Sequence, residues 1–145
     1  MAEKKPQTFA NHARFDPLYH FFVLPVFAIS VIAAIVHFIW HPGLHSGWLF
    51  VVFVAAAIAI SKLRLYPLKV QDRVIRLEER LRLSSLLPEP VRSRIPELTG
   101  GQLIALRFAS DAEVPKLAER AISEKLSPAD IKKAIQNWRP DHWRV

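Results

Sequence analysis

Residues 18–40, LYHFFVLPVFAISVIAAIVHFIW, and residues 48–65, WLFVVFVAAAIAISKLRL, decide the fold. The first stretch holds 23 residues without Asp, Glu, Lys or Arg. As a helix it covers roughly 34 Å, enough to cross a hydrocarbon core of about 30 Å with some tilt. The second stretch has 14 uncharged residues from Trp48 to Ser61. It extends to Leu65, for about 27 Å, when Lys62 and Arg64 lay their stems along apolar surface and keep their charges at the interface. Between them lie the seven residues 41–47, HPGLHSG. Two apolar helices joined by so short a turn predict a transmembrane helical hairpin.

The flanking charges orient it. Lys4, Lys5 and Arg14 precede the first stretch; Lys62, Arg64, Lys69, Arg73 and Arg76 follow the second; the 41–47 loop has no Lys or Arg. By the positive-inside rule both termini are cytoplasmic and the turn is outside. Trp40 and Trp48 stand at the outer ends of the two spans, with Phe15, Tyr19 and Tyr66 at the inner side, where aromatic rings favour the headgroup boundary. A cleaved signal peptide fits less well, because the apolar run starts late, is too long and has no small-residue cleavage site after it.

Composition narrows the function classes. A chain of 145 residues accommodates the hairpin and one small domain. With no cysteine there is no disulfide, thiolate metal site or thiol nucleophile. The net charge of +7 divides into five basic against two acidic residues in 1–65 and fifteen against eleven in 66–145. Beside a membrane that spread points to topology control and attraction to anionic lipid rather than to nucleic acid, for which no binding motif is present.

Taken in order, residues 1–15 read as a polar cytoplasmic arm that a partner would order. The hairpin occupies 16–66, with spans at about 17–40 and 48–65. Asp16–Pro17 is a helix start, an N-cap acid followed by proline at the first helical position, and Pro25 predicts a kink two turns on. Ala28, Ser30, Ala33 and Ala34, and then Ala55–Ala57 with Ala59, would let helices approach closely. Residues 67–87 form an amphipathic juxtamembrane helix. Its apolar stripe, Val70, Val74, Leu77 and Leu81, is spaced four, three and four, with Leu63 one heptad earlier. The stripe is expected to pack on the chain's own small domain, with docking on a partner or on the lipid surface as the other readings. Asp72–Arg76 and Glu78–Arg82 have the spacing of surface ion pairs.

Pro88, Pro90 and Pro96 predict an extended linker over 88–98. A small three-helix domain follows over 99–145. Its starts are Thr99 with Gln102, Ser110 with Glu113, and Ser127–Pro128 with Asp130. Its expected core is Leu103, Leu106, Phe108, Val114, Leu117, Ala121, Ile122, Leu126, Ile131 and Ile135. The terminal WRPDHWRV carries Trp138 and Trp143, which either anchor a partner or fold back on the domain. The fold class is therefore all-α: a transmembrane hairpin, an amphipathic helix and a small cytoplasmic three-helix domain.

For chemistry, His20 and His37 are the ionisable groups other than tyrosine in the first span, and hence the candidates for holding haem, a pigment, a quinone or a metal. Ala33, His37 and Trp40 are similar in spacing to the small residue–His arrangement by which light-harvesting antenna helices ligate bacteriochlorophyll. His37, His41 and His45 recur every four residues, but Pro42–Gly43 breaks the helix between the last two. They read as interfacial histidines, and no metal site is assigned. There is no glycine-rich phosphate loop, H-E-x-x-H or nucleophile elbow, so the chain is expected not to be an enzyme.

The segments NHARFDPLYHFFVLP, YPLKVQDRVIRLEERLRL, LTGGQLIALRFASDAEVPKLAERA and IKKAIQNWRPDHWRV resemble a family of small bacterial two-span membrane proteins of unknown function. The resemblance covers nearly the whole chain and implies the hairpin-plus-domain plan in a bacterial inner membrane. It carries no activity, cofactor or catalytic residue. The expectation is an accessory subunit of a larger respiratory or photosynthetic membrane assembly, its partners being other membrane subunits and anionic lipid, and no cofactor is required by the sequence. The alternatives are a cofactor-binding module built on His37 or His20, and a lipid-surface adaptor.

Overall fold

The computed structural model of the chain describes residues 7–11 and 16–141. Its regular elements are helices, and among the described residues the only strand-like pairing is an isolated bridge between Ala109 and Trp138. Among the described residues the chain divides into two compact units, one of residues 16–69 and one of residues 70–141 together with 7–11.

The first unit is the apolar hairpin. Asp16 caps its start, Oδ1 accepting from the Tyr19 backbone N–H at 3.2 Å. A π-helical turn, Tyr19–Val23, leads into α1, Leu24–Trp40. The wide turn ends two residues before Pro25, whose missing N–H and bulky ring disfavour regular i→i−4 bonding in the preceding turn. After the loop, α2 runs from Leu44 to Leu86, 43 residues. Ser46 ties the turn, its buried hydroxyl donating to the His41 carbonyl at 2.6 Å and lying 3.0 Å from that of Gly43. A Cβ on Gly47 would stand 3.4 Å from the Phe38 ring, so the glycine permits a close approach there.

Tyr19–Trp40, which is the π-helical turn together with α1, and α2 are each long and apolar enough to cross a membrane, and only 6% of the most apolar part of each is buried. The one buried apolar residue of α1 is Ala34. Ser30 and Ser61 donate back to the carbonyls of Val26 and Ala57, so neither hydroxyl demands water.

Pro67 does not end the second helix; α2 passes through it, so the apolar span and the amphipathic stretch that follows it are one continuous helix. In the second unit its last turns bury Ile75, Glu79 and Leu83. The proline-rich segment also departs from expectation. It contains a cis Glu89–Pro90 bond and a 3-10 helix, Arg92–Glu97, and it contributes Ile95 and Leu98 to the core. Apolar residues spaced among the prolines make burial more favourable than extension.

Three helices complete the unit: α3, Gly100–Leu106; α4, Val114–Ser123; and α5, Pro128–Ala134. Thr99 and Gln102 form the expected capping box. Ser127 caps α5, its Oγ accepting from the Asp130 N–H at 3.2 Å. The start of α4 differs. Glu113 does not reach back to close a capping box; its carboxylate accepts from the backbone N–H groups of Gln136 at 2.8 Å and Asn137 at 3.1 Å. Two amides left open after α5 outbid one at the helix start.

Of the ten expected core residues, nine are buried and Leu126 packs against them from the edge. Leu83, Leu87, Ile95 and Leu98 join from outside the three helices. Buried Gln102 also ties helices together, donating to the carbonyls of Ala121 at 3.1 Å and Leu126 at 2.9 Å.

Candidate functional site

Two surfaces of the second unit carry chemistry, a polar groove and an apolar stripe, and both are built on α2. The groove encloses about 700 Å³ and its charged lining is Glu78, Glu79, Arg82, Arg107, Arg139 and Asp141. Arg82 organises one side. Its Nη1 donates to Glu79 Oε1 at 3.0 Å, its Nε to Asp111 Oδ1 at 2.8 Å, and its Nη2 to the Ala109 carbonyl at 2.7 Å. This guanidinium therefore joins α2 to the turn before α4.

Glu79 is 3% exposed. Burial holds its carboxyl above the ordinary value, against the pull of the Arg82 charge and hydrogen bond. Glu79 lies well past Leu65, where the apolar stretch ends, and belongs to the second unit. Its arginine-rich surroundings in sequence are those of an exposed helical face, yet its neighbours one turn away on the helix, Ile75 and Leu83, are buried with it. Those two leucine-class positions were the available signal.

Arg107 forms the groove's other wall. It is 7% exposed, its guanidinium lies 4.4 Å from the Phe108 ring centroid, and its Nε is 3.4 Å from Asp141 Oδ2. Asp141 is in turn held by Gln7. The Asp141 N–H donates to Gln7 Oε1 at 2.8 Å, and Gln7 Nε2 donates to the Asp141 carbonyl at 3.2 Å. Part of the amino-terminal arm is thus paired with the chain's own far end, where the sequence suggested ordering by a partner. Nothing in the sequence pattern signals that pairing, since Gln7 and Asp141 belong to no periodic element.

Three carboxylates and three guanidinia line the groove, and among them Glu79 pairs with Arg82 and Asp141 with Arg107. A raised carboxyl beside a cavity is a recognised mark of acid–base sites, and of structural ion-pair networks equally. The bonds around Arg82 are those of a structural network: each partner belongs to a different segment and fixes it.

The stripe is the second surface. Val70, Val74, Leu77 and Leu81 are 60%, 48%, 60% and 63% exposed. The expectation that they pack on the chain's own domain is overturned, because α2 turns a different face, Ile75–Glu79–Leu83, toward the core. The helix therefore has two apolar faces and its domain covers one.

The chain matches DUF6526, a family of unknown function, over residues 1–145. It belongs to that family. No curated protein and no solved structure matches it. The site of this DUF6526 member is accordingly read from its own residues.

The predicted site residues fall in separate places. His37 is exposed at the end of α1, its ring centroid 5.2 Å from that of His41. His20 lies in the π-helical turn, with Nδ1 2.8 Å from the Asp16 carbonyl. Among the described residues no three His, Asp or Glu side chains gather as a metal site. Trp138 packs on Phe108 at 5.2 Å between centroids, and the Arg139 N–H donates to the Phe108 carbonyl at 2.7 Å, so the tail folds onto the domain as far as Asp141. Trp143 lies outside the described residues.

Of the basic residues, Lys62 Nζ sits 3.1 Å from the Tyr66 hydroxyl, and the Arg64 guanidinium lies 5.7 Å from the Tyr19 ring centroid. Lys69 and Arg73 are exposed. Arg76 is not simply a surface charge: its Nε donates to the Asp72 carbonyl at 2.9 Å, and its side chain passes 3.0 Å from where a Cβ of Gly100 would stand. The glycine at the first turn of α3 leaves that space.

Proposed function

We propose that this chain is a two-span protein of the bacterial inner membrane, with both termini cytoplasmic. Its helical unit docks on other subunits, and the protein acts as a non-enzymatic accessory subunit that stabilises a larger membrane assembly. The observation that carries this reading is uncovered apolar surface of two kinds. The hairpin presents apolar side chains almost all round, which suits lipid. The α2 stripe lies among charged residues beyond the apolar stretch, which suits a protein face. Each Å² left in water costs roughly 25 cal/mol, so both surfaces favour being covered.

Lys62, Arg64, Lys69 and Arg73 support the cytoplasmic placement and would attract anionic lipid. Energy-transducing complexes, respiratory or photosynthetic, are natural hosts for such a subunit. The groove is then an internal brace that gives the docking unit a fixed shape.

Extraction in mild detergent followed by sizing, with the full absorbance recorded, tests this. The accessory-subunit reading predicts migration in a particle much larger than the 16.6 kDa chain in its micelle, together with other polypeptides. A small particle containing only this chain contradicts it. Pigment or haem bands that vanish in His37→Ala would support the cofactor-module reading instead.

A further inference from the structure

The α2 stripe has the geometry of a coiled-coil seam, and we infer that the subunit it docks on is a second copy of this chain, paired in parallel through residues 70–81, so that the protein enters its assembly as a dimer. The assignment starts from the heptad. With Val74 and Leu81 at a, Val70 and Leu77 fall at d, and all four are exposed. The positions buried against the chain's own domain are Ile75, Glu79 and Leu83, which fall at b, f and c, the outer face of a two-stranded coil. The domain therefore covers the side a coiled coil leaves free, and leaves free the side a coiled coil covers.

Charge selects the partner and its direction. Arg73 takes position g and Glu78 the following e, and both are exposed. In a parallel pair, g of one helix meets the following e of the other, so Arg73 faces Glu78 of the second copy twice over, once on each side of the seam. An antiparallel pair would set g against g and bring Arg73 toward Arg80. The central layers add a preference for two strands, with β-branched Val74 at a followed by Leu77 at d.

Direction and concentration come from the membrane, and here the inference rests on the reading proposed above. Two copies inserted with the same topology present their α2 helices in parallel. Two heptads are too short to pair firmly in free solution, but confinement to one membrane raises the effective concentration that the seam sees.

The absence of native cysteine makes the test direct. Single cysteines are placed in the full chain at Val74→Cys and Leu81→Cys on the seam, and at Ser123→Cys on the exposed side of α4 as the control. Membranes are oxidised with copper phenanthroline, and dimer-mass product is measured by gel. The expected result is strong crosslinking at the two seam positions and little at Ser123→Cys. Arg73→Glu added to Leu81→Cys should weaken the product roughly fivefold, from two surface pairs turned repulsive. Adding Glu78→Arg as well should restore it.

Equal crosslinking at all three positions, or none on the seam, overturns the pairing. So does a charge reversal that the second reversal fails to rescue. Alkaline carbonate extraction of the same samples separates the two readings. Chain retained in the membrane without seam crosslinks refutes the dimer and leaves the two-span reading standing. Chain released to the supernatant refutes the two-span reading and, with it, the membrane confinement on which the parallel pairing rests.

Discussion

At the scale of single residues, the second unit is held by polar groups whose partners lie far along the chain. Glu79 is the most informative. A carboxyl whose folded-state pKa is raised favours the folded state while it is protonated. That contribution is full below the unfolded value and is lost as pH rises through the raised one. Melting temperature of the detergent-solubilised chain, followed by circular dichroism between about pH 4 and pH 8, should therefore carry a downward component with rising pH that Glu79→Gln removes. An identical slope in the variant would contradict the buried placement. Glu113 gives a second test at this scale. Replacing it with Ala leaves the Gln136 and Asn137 amides without their acceptor and should cost about 1–2 kcal/mol of unfolding free energy. Neither role was legible in the sequence. Ser110 and Glu113 have the spacing of a capping box, and nothing local reveals that two distant amides compete for the same carboxylate.

At the scale of elements, α2 is the part the sequence described best in outline and least well in orientation. Its apolar and amphipathic portions are both evident from charge and periodicity, as are the starts of α3 and α5 from Thr99–Gln102 and Ser127–Asp130. Which side of α2 meets the domain does not follow from that periodicity. The Val70–Leu81 stripe is the more regular of its two apolar faces, but regularity does not say whose surface covers it, and the less regular face, interrupted by Glu79, is the one sealed. The proline-rich segment departs from the expected extended linker for a related reason: proline limits the backbone locally, whereas Ile95 and Leu98 gain by burial in a core assembled from residues far apart in sequence. A matched pair of truncations tests the orientation. Leu83→Ala, at a fully buried site, should cost about 2–5 kcal/mol of fold stability in denaturant titration. Leu77→Ala, 60% exposed, should cost less than about 0.5 kcal/mol in the single chain and act on association instead. Equal losses would mean that both faces are packed within one chain.

At the scale of the whole molecule, the plan is a helical hairpin with almost no interior, followed by a small unit with a well-formed one. The helical class and the approximate layout follow from composition alone, because 23 uncharged residues admit few other arrangements. The candidate surfaces do not follow in the same way. The groove needs Gln7, Arg82, Arg107 and Asp141 from four separate segments, and only the folded chain brings them together.

The central claim is that the chain crosses the membrane twice with its helical unit inside the cell, and site-directed cysteine labelling tests it most directly. Leu44→Cys stands in the loop at the start of α2, 94% exposed, and Ser123→Cys stands on α4. Each variant is treated in intact cells, permeable only at the outer membrane, with a maleimide that cannot cross the inner one. The account predicts that Leu44→Cys is labelled at once and Ser123→Cys only after the cells are lysed. Labelling of Ser123→Cys in intact cells, or protection of Leu44→Cys until lysis, would contradict it.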